Sequence, residues 1–333
     1  MQRRFCVFGA GAIGGHLAAK LAAAGHEVAA VARGATLAAL QASGVALKAG
    51  ERTIRGRVRA AGSAAQLGPQ DAVFVTTKAT GLGDFAAAAP ALAGPETLFV
   101  FVQNGVPWWY AQGLSAARRR PPDLQRLDPG GRLARAIPAA GIAGAVVYSS
   151  NDIVAPGVVE NSTAGRNMLV IGAPDDREDA RIAALREVLG AADMHSPPTR
   201  DIRASVWDKL VINLGSALCV AVGEPLAALI EDPALRAARE RIFAEGRAVA
   251  RAHGVAVEDA PRRPGAGAQA SSATRHKPSM LQDYELGRPM EIEAILAAPL
   301  AFARAAGVET PALETLAAVV ARLAAAKGLY AAA

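Results

Sequence analysis

The sequence predicts two domains of different class: an α/β domain with a doubly wound parallel sheet over residues 1–198, and an all-α domain over residues 199–333. Three observations predict this division. Short apolar runs alternate with alanine-rich helical stretches through the first half, the signature of strand–helix–strand units whose strands pair in parallel. A glycine-rich turn links the first run to the first helical stretch. Strand patterns then stop near Pro197-Pro198, and long segments rich in alanine, leucine and arginine follow.

The first strand is the apolar run Phe5-Cys6-Val7-Phe8. It leads directly into Gly9-Ala10-Gly11-Ala12-Ile13-Gly14, and a helix is expected over residues 16–24. A G-x-G-x-x-G turn in that setting suits a dinucleotide for stated reasons. Gly9 permits the tight turn, Gly11 lets a pyrophosphate approach the backbone, and Gly14 lets the helix pack closely on the strand. The free N–H groups of the helix start, from Ala12 and Ile13 onward, then face the anion. Gly25 is placed as the helix C-cap. A second strand is expected over residues 26–32, a third within 52–60, a fourth over 71–77 and a fifth over 97–102. Residues 113–138 are polar and carry Pro121-Pro122 and Pro129-Gly130-Gly131, which reads as an inserted surface loop. Short strands over 142–148, 157–161 and 167–171 close the domain, followed by a helix over 175–190. In the helical domain, residues 261–267 read as an internal loop.

Composition narrows the function class. At 52% hydrophobic and 20% charged residues, the chain can bury a sizeable core. No apolar run reaches the roughly 18 residues that suggest a membrane span, and the first strand begins too early to leave room for a signal peptide. Cys6 and Cys219 both lie in apolar stretches and read as small buried hydrophobes, too few for a disulfide framework or a zinc site. A cytoplasmic protein with no metal and no membrane partner is expected. The net charge of +6 favours an anionic ligand, but the arginines are scattered apart from Arg118-Arg119-Arg120 and Arg262-Arg263, and no aromatic residues alternate with them. Nucleic acid is therefore not expected as a partner, and a homodimer is left open.

Ligands of a doubly wound sheet sit at the carboxyl ends of its strands. Arg33, Lys78 and Asn104 all occupy such ends. A carboxylate at the end of the second strand would bind the ribose hydroxyls of NAD, whereas an arginine suits the 2′-phosphate of NADP. Glu27 lies at the wrong end of that strand, so Arg33 favours NADPH; the bland reading is an exposed arginine before Gly34. Lys78 closes an apolar strand, where a charge needs an anion or water, and cofactor phosphate or ribose is a natural partner. Gln103-Asn104-Gly105 ends the next strand with an amide able to touch the nicotinamide ribose or a substrate, although Gly105 also suits a plain turn.

Two further centres lie in the helical domain. Lys209 and Asn213 are four residues apart, so they share one face of an otherwise apolar helix. A lysine in such a setting has its pKa pushed down toward the range useful for proton transfer; the alternative is a lysine snorkelling to the surface. The second centre is Ser279-Met280-Leu281-Gln282-Asp283, followed by Glu291-Ile292-Glu293. Ser279 there could simply N-cap a helix, and Glu291 could be a surface acid.

In order and spacing, Gly-Ala-Gly-Ala-Ile-Gly at the start, Val75-Thr76-Thr77-Lys78-Ala79, Gln103-Asn104-Gly105-Val106, Trp207-x-Lys209-Leu210-x-x-Asn213, Ser279-Met280-Leu281-Gln282-Asp283 and Glu291-Ile292 resemble the ketopantoate reductase family over nearly the whole chain. The resemblance implies a Rossmann-type domain, an all-helical domain, and NADPH-dependent reduction of a branched 2-oxo acid, 2-dehydropantoate, to the 2-hydroxy acid pantoate. By position it implies that Gly9, Gly11 and Gly14 hold the pyrophosphate and that Arg33 and Lys78 meet the adenosine-side phosphates. Asn104 would lie near the nicotinamide and the substrate, and Lys209 would be the general acid. Asn213 and Ser279 would bind substrate oxygens, and Glu291 would orient Lys209 or the substrate hydroxyl. One departure is that the family usually carries a second asparagine four residues after the first, where this chain has Ala217. A pocket with one fewer amide suits a less polar 2-oxo acid. Two alternatives follow from this departure: a dehydrogenase of 3-hydroxy acids or opines, and a non-catalytic NADPH-binding protein.

Overall fold

A computed structural model describes residues 3–258 and 277–331. The internal loop expected at 261–267 lies outside the described residues. The chain divides into two compact units. One holds the residues up to Gln103 together with Asp128–Ile202, and the other holds Asn104–Leu127 with the residues from Arg203 onward.

The first unit begins with β1 (Arg4–Phe8), α1 (Ala12–Ala23), β2 (Glu27–Val31) and α2 (Gly34–Ser43). Next come β3 (Val45–Ala49), β4 (Arg52–Gly56), β5 (Arg59–Ala61), β6 (Ala72–Val75), α3 (Leu82–Leu92) and β7 (Leu98–Phe101). After the excursion into the second unit, the chain continues with α4 (Arg132–Ala136), β8 (Ile142–Tyr148), β9 (Asn151–Ala155), β10 (Val158–Asn161), β11 (Met168–Gly172) and α5 (Ala180–Ala191). Seven strands form a sheet in the order β11-β8-β7-β6-β1-β2-β5, parallel except for β11, which pairs antiparallel with β8. The central strands are buried on both faces and read as continuous apolar runs, as helix-covered parallel strands must. Cys6 is fully buried within β1, and burial pushes its thiol up to about 12.

Three expectations are corrected here. The single third strand within 52–60 is two strands in different sheets: β5 extends the main sheet beyond β2, while β4 pairs with β3 in a four-stranded sheet of order β4-β3-β10-β9. Gly56 is the reason for the split. A side chain there would meet Ala22 of α1 at 2.5 Å, so the chain passes flat against the helix and then moves to the other sheet. Residues 113–138 are also more than a surface loop, since Leu127, Leu133 and Ile137 are buried and α4 forms within them. At the end of α1, Ala24 is the cap and Gly25 follows it at φ 86, the left-handed position that suits glycine.

The second unit is helical: α6 (Ile202–Ser216), α7 (Leu218–Val222), α8 (Leu226–Glu231), α9 (Pro233–Ala252), α10 (Ser279–Glu285), a π-turn over Glu293–Ala297, α11 (Ala298–Ala306) and α12 (Pro311–Ala326). Its core is aromatic. Phe302 is ringed edge-on by Tyr110, Trp207 and His253, and the Trp207 indole donates to the Tyr110 hydroxyl at 2.8 Å. The stretch Ile202–Val222 is by length and composition long enough to cross a membrane, contrary to the expectation that no run is. However, 56% of its most apolar window is buried inside the protein, which marks it as the core helix of this unit. Cys219, also fully buried, has its thiol raised to about 11 by that burial.

Candidate active site

In the first unit the residues expected to hold a nucleotide lie at the carboxyl ends of neighbouring strands. β2, β1 and β6 are adjacent and parallel, with Phe8 in register with Val31 on one side and Val75 on the other. Arg33, the glycine turn and Lys78 follow those three ends. The chain moves to opposite sides of β1 at this point, the switch position where ligands bind in this architecture.

Each glycine of the turn has a distinct structural reason. Gly9 sits at φ 102, and a Cβ there would lie 2.8 Å from the Thr77 backbone nitrogen. A Cβ on Gly14 would come within 2.2 Å of the Gly9 carbonyl oxygen, so only glycine lets α1 approach β1 this closely. Gly11 is different: nothing stands within 4 Å of where its Cβ would be. Its smallness answers to no neighbour in the protein and leaves open backbone for a ligand. No side chain caps α1, and no acid stands in its first turn. The helix start therefore presents free N–H groups and an uncompensated positive dipole end. Two buried oxygens nearby, Thr77 Oγ1 and Gln103 Oε1, have no hydrogen-bond partner in the protein. The helix start, the open Gly11 backbone and the Thr77 hydroxyl, which can donate, fit a dinucleotide phosphate lying across the strand ends, whereas the Gln103 Oε1 atom can only accept and so suits a ribose hydroxyl.

Arg33 is exposed, and its guanidinium donates to the Asp84 carboxylate on the first turn of α3 at 2.6 Å. Lys78 is half-buried just before a short 3₁₀ turn, Ala79–Gly81. Gln103, which the sequence did not single out for itself, donates its amide to the Val75 and Thr77 carbonyls at 2.7 and 3.0 Å. It ties the end of β7 to the end of β6 and so fixes the backbone on which Lys78 stands.

The second unit gathers the other predicted residues. Asn213 Nδ2 reaches Asn104 Oδ1 at 3.5 Å, joining two residues far apart in the chain. Lys209 is half-buried one turn before Asn213 on α6. The segment carrying Asn104 is anchored to the same helix by Arg203, which is fully buried and donates to the carbonyls of Tyr110 and Gln112 at distances of 2.6–3.0 Å. Glu291 is buried at 9% exposure, so it is not the surface acid of the bland reading. Glu293 is engaged elsewhere, accepting from the Tyr330 hydroxyl at 3.0 Å and pairing with Arg126 at 3.1 Å. Ser279 is exposed as the first residue of α10. The alternative that it N-caps this helix is corrected: Pro278 holds that position, and its carbonyl accepts the Gln282 N–H at 3.1 Å. Ala217, the position where the resemblance leads one to expect a second asparagine, is fully buried between α6 and α7.

Comparison with known proteins finds the chain's matches among the ketopantoate reductases. Residues 5–110 match the family model Ketopantoate reductase PanE/ApbA, and residues 201–324 match its companion, Ketopantoate reductase PanE/ApbA C terminal. A 2-dehydropantoate 2-reductase of Mesorhizobium japonicum is 37% identical over 329 residues, covering 98% of this chain and 99% of the relative. Among solved structures, one from Ralstonia solanacearum MolK2 classed with the ketopantoate reductases superposes with a TM-score of 0.85 at 35% identity, over 99% of this chain and 100% of that one. A PanE/ApbA family ketopantoate reductase from Ralstonia eutropha JMP134 gives a TM-score of 0.80 at 27% identity, over 98% and 99%.

Proposed function

The chain belongs to the ketopantoate reductase family, and from that premise we propose that it reduces the ketone of 2-dehydropantoate, or of a closely related branched 2-oxo acid, with NADPH in the cytoplasm. It is an oxidoreductase with the fold of that family. The observation that carries the assignment of residues is the meeting of Asn104 and Asn213 one turn from Lys209. Two carboxamides and an ammonium in one region form a polar set suited to an α-keto acid, whose carboxylate and carbonyl oxygens need several donors.

NADPH, when bound, supplies the hydride that reduces the carbonyl carbon. The Gly9–Gly14 turn and the start of α1, including the N–H groups of Ala12 and Ile13, hold the pyrophosphate. Arg33 and Lys78 bind the adenosine-side phosphates, and Asn104 also borders the nicotinamide ribose. Lys209 gives a proton to the carbonyl oxygen as negative charge develops there. Asn104, Asn213 and Ser279 fix the substrate oxygens. Fixed donors of this kind stabilise the growing charge without reorganising during the reaction. Glu291 orients the Lys209 ammonium or the product hydroxyl.

Loss of NADPH absorbance on adding 2-dehydropantoate and a panel of branched 2-oxo acids tests the proposal. Turnover is expected, and the alanine at position 217 is expected to broaden the choice toward less polar side chains. Folded protein that binds NADPH yet oxidises it with no 2-oxo acid would overturn the assignment and favour the non-catalytic alternative. Turnover confined to 3-hydroxy acids or opines would move it to another dehydrogenase class.

A further inference from the structure

The segments that present Asn104 and Glu291 are joined through an irregularity in the backbone. After Glu291 the chain begins as an ordinary helical turn, with the Ile295 N–H on the Glu291 carbonyl at 3.1 Å. It then widens into the π-turn Glu293–Ala297, and the Ala298 N–H reaches the Glu293 carbonyl five residues back. In that register the Ala294 carbonyl would take its hydrogen bond from residue 299. Residue 299 is proline and has no N–H to give. The Ala294 carbonyl instead accepts the Val106 N–H at 2.8 Å. Gly105 makes this approach possible: it sits at φ 84, and a Cβ there would stand 2.5 Å from the Ala294 oxygen. Asn104 is the next residue back along the chain.

We propose that Pro299 is a positioning residue for substrate binding. By withholding a donor from Ala294, it keeps that carbonyl open for Val106 and fixes the Asn104 carboxamide and the Glu291 segment on one frame. The contacts of Glu293 with Tyr330 and Arg126 hold the same turn independently of the proline, so a variant at 299 keeps its fold while the loop carrying Asn104 loosens. The inference rests on the reading of Asn104 as a substrate-binding residue.

The test is a double-mutant cycle of Pro299→Ala and Asn104→Ala, read as KM and kcat for the 2-oxo acid, with the NADPH Kd and the thermal midpoint measured alongside. Pro299→Ala is expected to raise KM about tenfold, the scale of one hydrogen bond, with a smaller change in the NADPH Kd, because the Gly9–Gly14 turn, Arg33 and Lys78 supply most of the cofactor contacts. In the Asn104→Ala background the same substitution is expected to have no further effect on KM, because its action passes through Asn104. Wild-type KM in Pro299→Ala, or KM effects that simply multiply in the double variant, would overturn the proposal. An unchanged KM in Asn104→Ala alone would overturn the reading of Asn104 and the proposal with it. If Pro299→Ala does not yield folded protein, Gly105→Ala disturbs the same contact from the opposite side and enters the cycle in its place, with the same outcomes deciding.

Discussion

The residues proposed to bind and reduce the substrate were unequally legible in the sequence. Lys209 was legible because a lysine and an amide four residues apart are anomalous on an apolar helix. Replacing it with alanine is expected to lower kcat by at least about 100-fold, the low end for a general acid, with the NADPH Kd unchanged in a fluorescence titration. Arg33 was legible as a base where NAD sites carry an acid, but its pairing with Asp84 was not, because no local pattern connects positions 33 and 84. Both partners are exposed, so the pair is weak and would not hold Arg33 back from a phosphate. Arg33→Ala is expected to reduce the preference for NADPH over NADH by about tenfold or more, read as the ratio of the two Kd values. His16 was not legible at all. It is fully buried on α1, neither ring nitrogen has a hydrogen-bond partner, and burial followed by the nearby Lys20 charge pushes its pKa down to about 4, while Asp193 opposes them. The unfolded chain therefore binds a proton that the folded chain refuses between about pH 6.5 and 4, and stability falls as pH drops through that window. His16→Leu is expected to remove about 2 kcal/mol of the loss between pH 7 and pH 5, measured as urea midpoints at the two values. His26 and His253 are shifted in the same direction, but they remain in the variant and cancel from the comparison.

At the scale of elements, what was legible depended on burial. β1, β6 and β7 stand on both-face-buried positions of a parallel sheet, and their unbroken apolar runs announce them. β4 and β9 lie at the edges of the four-stranded sheet and are mostly exposed, so their composition gives little sign of a strand. For β3 the punctuation was present, since Gly44 caps α2 and Gly50 turns the chain into β4, both at positive φ, but a run of only three consecutive apolar residues, Val45 to Leu47, is too short to separate strand from helix. The π-turn after Glu291 was also invisible, because a single bond from the Ala298 N–H to the Glu293 carbonyl leaves no mark in composition or periodicity. Among the helices, α6 depends on Arg203 to hold the segment that carries Asn104. Arg203→Met keeps the volume but leaves the Tyr110 and Gln112 carbonyls without their donor. It is expected to cost about 3 kcal/mol, seen as a lower urea midpoint with an unchanged slope.

The path of the chain sets the behaviour of the whole molecule. The sequence reads as one domain followed by another, because the change in composition near Pro197-Pro198 is the only break it displays. In the structure the second unit also recruits residues 104–127 from the middle of the first half. The reason is visible in the side chains: Val106, Trp108, Trp109 and Tyr110 are buried, and Tyr110 completes the aromatic cluster around Phe302. A fragment beginning at residue 199 would lack Tyr110 and would leave Arg203 buried without its carbonyl acceptors. Burying a guanidinium stripped of those acceptors is costly for a helical unit of this size. The fragment is therefore expected to remain molten, with helical far-ultraviolet circular dichroism but no near-ultraviolet signal and rapid cleavage by trypsin. Supplying residues 104–127 through a flexible linker ahead of residue 199 is expected to restore the near-ultraviolet signal and slow the cleavage. A fragment starting at 199 that already shows a fixed tertiary signal and a cooperative thermal transition would mean that the helical half builds its core without the borrowed segment, and Asn104 would then be a guest on that unit rather than part of its frame.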